Sequence, residues 1–440
     1  MGIVTFGHDG LILPTSLAAS ALNQLNLLSV FSMAATGGYG EGAFAYGANV
    51  QFRRIQISDA QKYNPRSGVP APQQDIGYVT GTLNLSDLYT AGVPLYSSDY
   101  GAEKYIKEAG QAIAFSITKG FDVDLYNRFR TPTHASIGAV QYGVNMPLRI
   151  VANESSGTFT PFTQNLLIRG GAGLDEEDTT PGERYAIISN TAKADYLGSQ
   201  TPVDAGAVYD RLGQSNLVKD GLPLGRFVER MGFYLGSSNV IGRNGVQLGS
   251  SDIDTAAGAQ GNLPISAATD DVSFFFKADY ATPTALGAVV LSLTATGLQG
   301  LAVGQIARIA DGSNVSIAYG VVLRVDPVAK QVYLVPFTPN GRQLSASAVV
   351  GGATLSVPLI PSVSVGYKKS ALIYDTRQME APPEGAGATM VGAKDDQSGL
   401  MLQIWQGGYD INSFKSSMRY SLLSGSTFND YRCGCFMLSA

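Results

Sequence analysis

Residues 97–130 read SSDYGAEKYIKEAGQAIAFSITKGFDVDLYNRFR. Small or apolar side chains recur at Ala102, Tyr105, Ile106, Ala109, Ile113, Ile117, Phe121 and Leu125. Steps of three and four residues place them in one stripe on a helix. Asp99 and Glu103 stand where the positive end of the helix dipole favours acids, and Arg128 and Arg130 where the negative end favours bases. Pro132 stops the run. A helix over 97–130 would be roughly 45–50 Å long at 1.5 Å per residue. Gly101, Gly110 and Gly120 each weaken it by roughly 1 kcal/mol relative to alanine. Such a length exceeds what a small core needs, so the stretch is read as a strut that carries sheets and protruding loops rather than as an ordinary core helix.

The surroundings support a strut. The chain has 440 residues, room for two or three cores. Charged residues make up 15%, against roughly 25% in an ordinary soluble domain. Such a surface is short of charge for a monomer, which points to burial against other chains. Net charge is −5 and the first basic residue is Arg53, so a basic arm for gripping phosphates is not expected. The apolar run 17–35 lacks a basic start and is broken by Asn23, Gln24, Asn26 and Ser29. It reads as an amphipathic helix, either a core element or a docking arm, and not as a signal peptide or membrane span. Cys433 and Cys435 are the two cysteines. On a strand they would share a face; two thiols build neither a disulfide framework nor a zinc site, as in a protein kept in a reducing compartment.

Along the chain, TGGYGEGAFAYGA (36–48) is a joint. Its glycines do not stand between a strand and a helix, which argues against phosphate cradling. A strand through Val50, Phe52 and 55–57 returns at 78–85; between them SDAQKYNPRSGVPAPQQD carries no core signal. So long a loop is functional or disordered, and a two-stranded extension is barely stable alone. It is therefore expected to lie on another copy. Residues 135–185 read as loops and short strands, 185–189 as a buried strand, 203–219 as a helix, 225–240 as a strand leading into a turn, and 241–270 as linker. Strand signals then follow at 272–277, 288–293, 306–310, 319–325, 331–337 and 353–357, with a hairpin connection at 326–330. They describe a small inserted β-barrel. Further strands at 371–378, around Trp405, in GGYDINSFKSSMRYSLLSGSTF (407–428) and at 431–438 complete the interrupted domain. The resulting division is 1–45 arm and joint, 46–96 extended loop, 97–270 long helix with the first part of the main body, 271–366 inserted β-domain, and 367–440 the return of the main body.

Catalytic signatures are missing: HExxH, GxSxG and a Gly-rich loop ending in Gly-Lys-Ser/Thr do not occur. His8 and His134 are far apart and read as structural. The acidic run Asp175-Glu176-Glu177-Asp178 is either a solvated turn or a metal site, with the turn favoured. Lys62 is a solvated lysine or, as the weaker reading, half of a covalent link to another chain. No catalytic, cofactor or metal residue is nominated.

Several stretches in this order carry a resemblance: RYAIIS at 184–189, GFYLGSSNV at 232–240, LAVGQIARI at 301–309, ALIYDTRQMEAPPEGAG at 371–387, LQIWQGGYDIN at 402–412 and MRYSLLSG at 418–425. With the arm, loop and long helix before them, the chain resembles the major capsid (coat) proteins of tailed bacteriophages, in the short-tailed branch with an inserted β-domain. The resemblance implies an α+β capsid fold with N-terminal arm, extended hairpin loop, spine helix, peripheral and axial domains. It also implies a non-enzymatic subunit of an icosahedral shell around double-stranded DNA, built in the host bacterial cytoplasm and found in the virion. Implied partners are further copies in hexamers and pentamers, scaffolding and portal proteins, a decoration protein, and the packaged DNA held without sequence preference; no membrane is involved. Two other classes compete. A soluble enzyme with an inserted β-domain suffers from the missing motifs. An outer-membrane or surface β-protein fits the tyrosine and glycine content but not the long helix.

Overall fold

The computed structural model describes residues 29–37, 46–55, 78–96, 103–130, 134–136, 142–144, 146–155, 158–176, 182–198, 228–242, 244, 263–271, 275–276, 284–285, 288–294, 301, 303–349, 352–358, 361–380, 388–394, 400–410, 415–428 and 431–440. The fold is α+β, with two large sheets, a closed barrel and a long helix. The helix expected over 97–130 runs Glu103–Arg130, about 42 Å at 1.5 Å per residue. It ends on Arg128 and Arg130 as the dipole argument requires. Asp99, Pro132, the helix expected at 203–219 and most of the one at 17–35 lie outside the described residues.

A mixed six-stranded sheet forms the centre, in the order 228–230, 233–238, 184–189, 362–368, 434–439, 149–152. Strands Arg184–Ser189, Ser362–Lys368 and Gly434–Ser439 are buried almost throughout, because this sheet is covered on both faces. One cover is the helix Gln164–Asp175, in a region read from sequence as loops and short strands. Its glycines hide it, and they are also what lets it lie close to the sheet. A Cβ on Gly173 would sit 2.6 Å from the Arg149 side chain, and one on Gly170 3.3 Å from the Met437 sulfur. The stretch read as one strand at 225–240 is a hairpin, Val228–Arg230 with Phe233–Ser238, turned at Met231 and Gly232, whose φ values of 48° and 76° suit a two-residue hairpin loop.

The second sheet is antiparallel and five-stranded: 372–377, 415–428, 401–410 and 388–394, with Asp87–Tyr96 paired to Lys415–Phe428. The long helix joins the two sheets. Phe129 meets the Tyr367 ring of the central sheet at 4.8 Å and the Phe428 ring of the second at 5.1 Å. The Tyr126 hydroxyl donates to the Val363 carbonyl at 2.8 Å. Residues 29–36 return across this junction: Thr36 bridges to Ile373, its N–H donating to Leu372 O at 2.9 Å and its carbonyl accepting from Tyr374 N–H at 3.0 Å.

The barrel closes in the order 263–271, 288–293, 331–337, 316–326, 306–310, 354–356. Three of its strands, Ala288–Leu293, Ile306–Ala310 and Gln331–Phe337, match the sequence reading residue for residue. The linker reading of 241–270 does not hold at its end, where Leu263–Asp271 is a barrel strand. Leu263 and Ile265 point into the barrel, while the exposed alternate positions gave those residues a linker's composition. Within the strand Ser316–Asp326 the wall is buried on both sides over 318–323. Ala318 and Val322 fill the barrel, whereas Tyr319, Val321 and Leu323 join the core of the main body. The barrel is thus built into the body rather than hung from it.

Candidate functional site: the arm root and the spine helix

Strands Asn49–Ile55 and Tyr78–Asn84 pair antiparallel, Asn49 opposite Asn84 and Ile55 opposite Tyr78, as a two-stranded sheet of their own. This is the extension expected from sequence; its tip, including Lys62, lies outside the described residues. Period-two alternation decides how the root is seated. Val50, Phe52, Leu83 and Leu85 face inward onto Ile373 and Leu423, while Asn49, Gln51, Thr82 and Asn84 face solvent. The Gly47 N–H donates to Leu85 O at 2.8 Å and the Leu85 N–H to Ala48 O at 2.9 Å, with Gly47 at φ 82°. Below this, a Cβ on Gly425 would lie 2.3 Å from the Asn84 carbonyl oxygen, so the second sheet receives the arm only where it has no side chain.

The spine helix buries Ile113, Ile117, Phe121 and Leu125, four of the positions in the expected stripe. On its other side Ala112, Phe115 and Ser116 are exposed, Phe115 by 45%. Arg128 ties the helix to the strand that follows the arm, donating to Asp87 at 2.9 Å and to the Ser426 hydroxyl at 3.0 Å. The Tyr89 hydroxyl donates to Asp124; burial, and then this carboxylate, hold the phenol well above its ordinary pKa.

Asp122 is buried within the same helix. It accepts from the Ser29 hydroxyl at 2.8 Å, from Val30 N–H at 3.1 Å and from Phe31 N–H. Desolvation pushes its carboxyl up to about 7, against the pull of those three donors. Beside it is a cavity of about 20 Å³ lined by Val30, Phe115, Lys119 and Ser237 among others.

Two polar clusters fix the barrel to the body. The buried Asn244 side chain donates to Ile306 O at 2.7 Å and Pro358 O at 2.9 Å, and accepts from Ile306 N–H at 3.1 Å. Glu154, on the body, accepts from Tyr319 and, at 2.7 Å, from Ser316. Neither residue was marked by the sequence: Asn244 stands in a Gly/Asn run read as linker, and Glu154 has no neighbour that signals a partner 165 residues away.

The residues weighed for chemistry are dispersed. Asp175 and Glu176 close a helix with their side chains exposed, as a solvated end would have them, and each meets a base, Asp175 with Arg184 and Glu176 with Arg149 at 2.8 Å. Glu177, Asp178 and His8 lie outside the described residues, and His134 is on a short strand paired with Tyr142–Val144. Cys433 and Cys435 do not share a face. A 3₁₀ turn at Tyr431–Cys433 breaks the alternation, leaving Cys433 in the main core and Cys435 under the helix 164–175. In the ALIYDTRQ stretch, Arg377 donates to Asp375 at 2.7 Å with both side chains buried, an internal ion pair.

No family model and no curated protein sequence matches the chain. Solved structures do. The capsid of the cyanophage P-SCSP1u is similar over 94% of this chain and 88% of its own, at 12% identity and a TM-score of 0.40. The capsid of Ralstonia phage GP4 is similar over 92% and 87%, at 8% identity and a TM-score of 0.43. A virus-like particle from Pyrococcus furiosus is similar over 96% and 98%, at 8% identity and a TM-score of 0.37. All three form shells. The likeness is loose and extends over nearly the whole chain.

Proposed function

We propose that this chain is the major subunit of a closed icosahedral shell of a tailed phage, a structural protein without catalysis. The arm carries the reading. Its two strands form a ribbon apart from both large sheets and are covered on one face at the root. A two-stranded ribbon is at best marginal in water; the chain's own body covers one face at the root, and the other face is left for a second surface. A neighbouring copy supplies it in a closed assembly, where the same patch meets its complement at every position. Permanent interfaces bury 2,000 Å² or more, which accounts for a chain with 15% charged residues. The order of segments in the sequence, from arm to spine helix to inserted barrel and returning strands, agrees with this role.

Within this reading the copies group as hexamers and pentamers. Scaffolding and portal proteins direct closure, and a decoration protein can bind outside. Double-stranded DNA is held without base contacts, and assembly takes place in the host cytoplasm. An acidic chain is compatible with that, since DNA driven in by a motor needs no attractive wall. Cross-linking of a mixture of ¹⁴N- and ¹⁵N-labelled chains tests it. Links from the 46–85 segment are expected between light and heavy chains; links confined to one isotope would overturn the proposal.

A further inference from the structure

Asp122 is the acid on the buried face of the spine helix, and the groups bonded to it are neutral: the Ser29 hydroxyl and the Val30 and Phe31 amides. Ser29 is itself held, accepting from the Ser32 hydroxyl at 2.6 Å. The segment that Asp122 grips is short. It is pinned again at Thr36, by the backbone bridge to Leu372 and Tyr374. Between these anchors Val30, Phe31, Ala34 and Ala35 are buried, with Phe31 against Tyr126 and Phe129.

A carboxylate buried without a bonded cation is costly; the neutral acid avoids the charge and can turn its O–H to the Ser29 hydroxyl while Val30 N–H still donates to its other oxygen. The other ionisable and polar groups around the site do not remove that cost. Lys119, one turn earlier, lines the same cavity but is exposed. Tyr126, one turn later, spends its hydroxyl on Val363. Arg130 lies beyond it and bonds Asn244. From the central sheet, Tyr367 is a phenol that burial keeps protonated, and Ser237, Ser238 and Asn239 line the cavity with neutral groups. The adjoining cavity is about 20 Å³, room for one water, which gives a proton a way in and out.

We propose that Asp122 is a protonation-controlled latch: the Ser29–Thr36 segment is held on the spine helix while the carboxyl carries its proton, and is loosened when the proton leaves. The sign follows from linkage. The closed form holds the proton up to about pH 7, whereas an open form with Asp122 in water would lose it near the ordinary 3.8. Stability of the closed form is therefore complete below that lower value and falls as pH rises to about 7, beyond which it levels off. Opening becomes roughly 100-fold more favourable between about pH 5 and pH 8.

Hydrogen exchange on the full chain, read by mass spectrometry, tests this. The quantity is the exchange rate of a peptide covering 29–36 divided by that of the barrel peptide 331–337, a ratio from which the intrinsic pH dependence cancels. In the wild type it should rise roughly 100-fold between about pH 5 and pH 8, and in Asp122→Asn it should stay constant within about threefold. A flat wild-type ratio, or the same rise in Asp122→Asn, would overturn the latch. Should Asp122→Asn fail to fold, Ser29→Ala decides. Removing a donor to the carboxylate should move the midpoint of the rise upward in pH, and an unmoved midpoint refutes the assignment.

Discussion

Asn244→Ala should loosen the barrel from the body more than its size suggests. The asparagine is fully buried, and its side chain satisfies three backbone groups: Ile306 O at 2.7 Å, Pro358 O at 2.9 Å and Ile306 N–H at 3.1 Å. Alanine keeps the Asn244 N–H bond to Pro361 O at 2.9 Å, so the local backbone has no reason to move, and the three groups lose their partner. Each buried group left without a partner costs about 1–3 kcal/mol. Partial relief by an entering water brings the total to about 3–5 kcal/mol rather than the sum of the upper values. Asn244→Asp separates the terms. It keeps an acceptor for Ile306 N–H and turns the Arg130 contact, 3.4 Å in the wild type, into an ion pair, but it sets a carboxylate against two carbonyl oxygens, so it should still fall below the wild type at neutral pH. The single tryptophan, Trp405, donates to Ser421 at 2.8 Å in the second sheet and reports the body in a urea titration. Hydrogen exchange of 331–337 reports the barrel. Both transitions should move to lower urea, the barrel's further. A change within about 0.5 kcal/mol, the range of an ordinary surface substitution, would refute the claim that Asn244 is a structural pin.

Gly425→Ala should unseat the arm, since the new methyl would stand 2.3 Å from Asn84 O with backbone on both sides; a cost of about 1–3 kcal/mol and faster exchange across 49–55 are expected, and unchanged exchange would contradict the close approach. Arg377→Met removes the cation bonded to the buried Asp375 carboxylate and should cost about 3–5 kcal/mol by urea titration, with much of it recovered in Arg377→Met/Asp375→Leu. Tyr319→Phe keeps the ring contact with Phe159 at 5.9 Å and removes the donor to Glu154, for a loss of about 1.5–3 kcal/mol visible in barrel exchange but not in the arm.

Much of this fold could be read before the structure, where a single physical rule governed a stretch. Ile113, Ile117, Phe121 and Leu125 are buried because one helical stripe faces the core. Val50, Phe52, Leu83 and Leu85 alternate because a ribbon buries one side. Barrel strands 288–293 and 331–337 are apolar enough to stand out alone. The failures have a common cause, a tertiary demand that contradicts local propensity. The helix 164–175 carries glycines because Arg149, Met437 and Phe233 press on it, and glycine lowers any helical signal. Leu263–Asp271 looks like a linker because its solvent side is made of small and polar residues. Asp122 interrupts an apolar face and Asn244 sits in a run of turn formers. What each does depends on partners 92 and 62 residues away, which no local pattern encodes.

The central claim is that this chain completes its fold by closing into a shell with its own copies. Electron microscopy of the expressed chain, alone and with a scaffolding protein, tests that most directly. Closed particles of uniform diameter are predicted; a chain that remains monomeric under every condition would contradict the account.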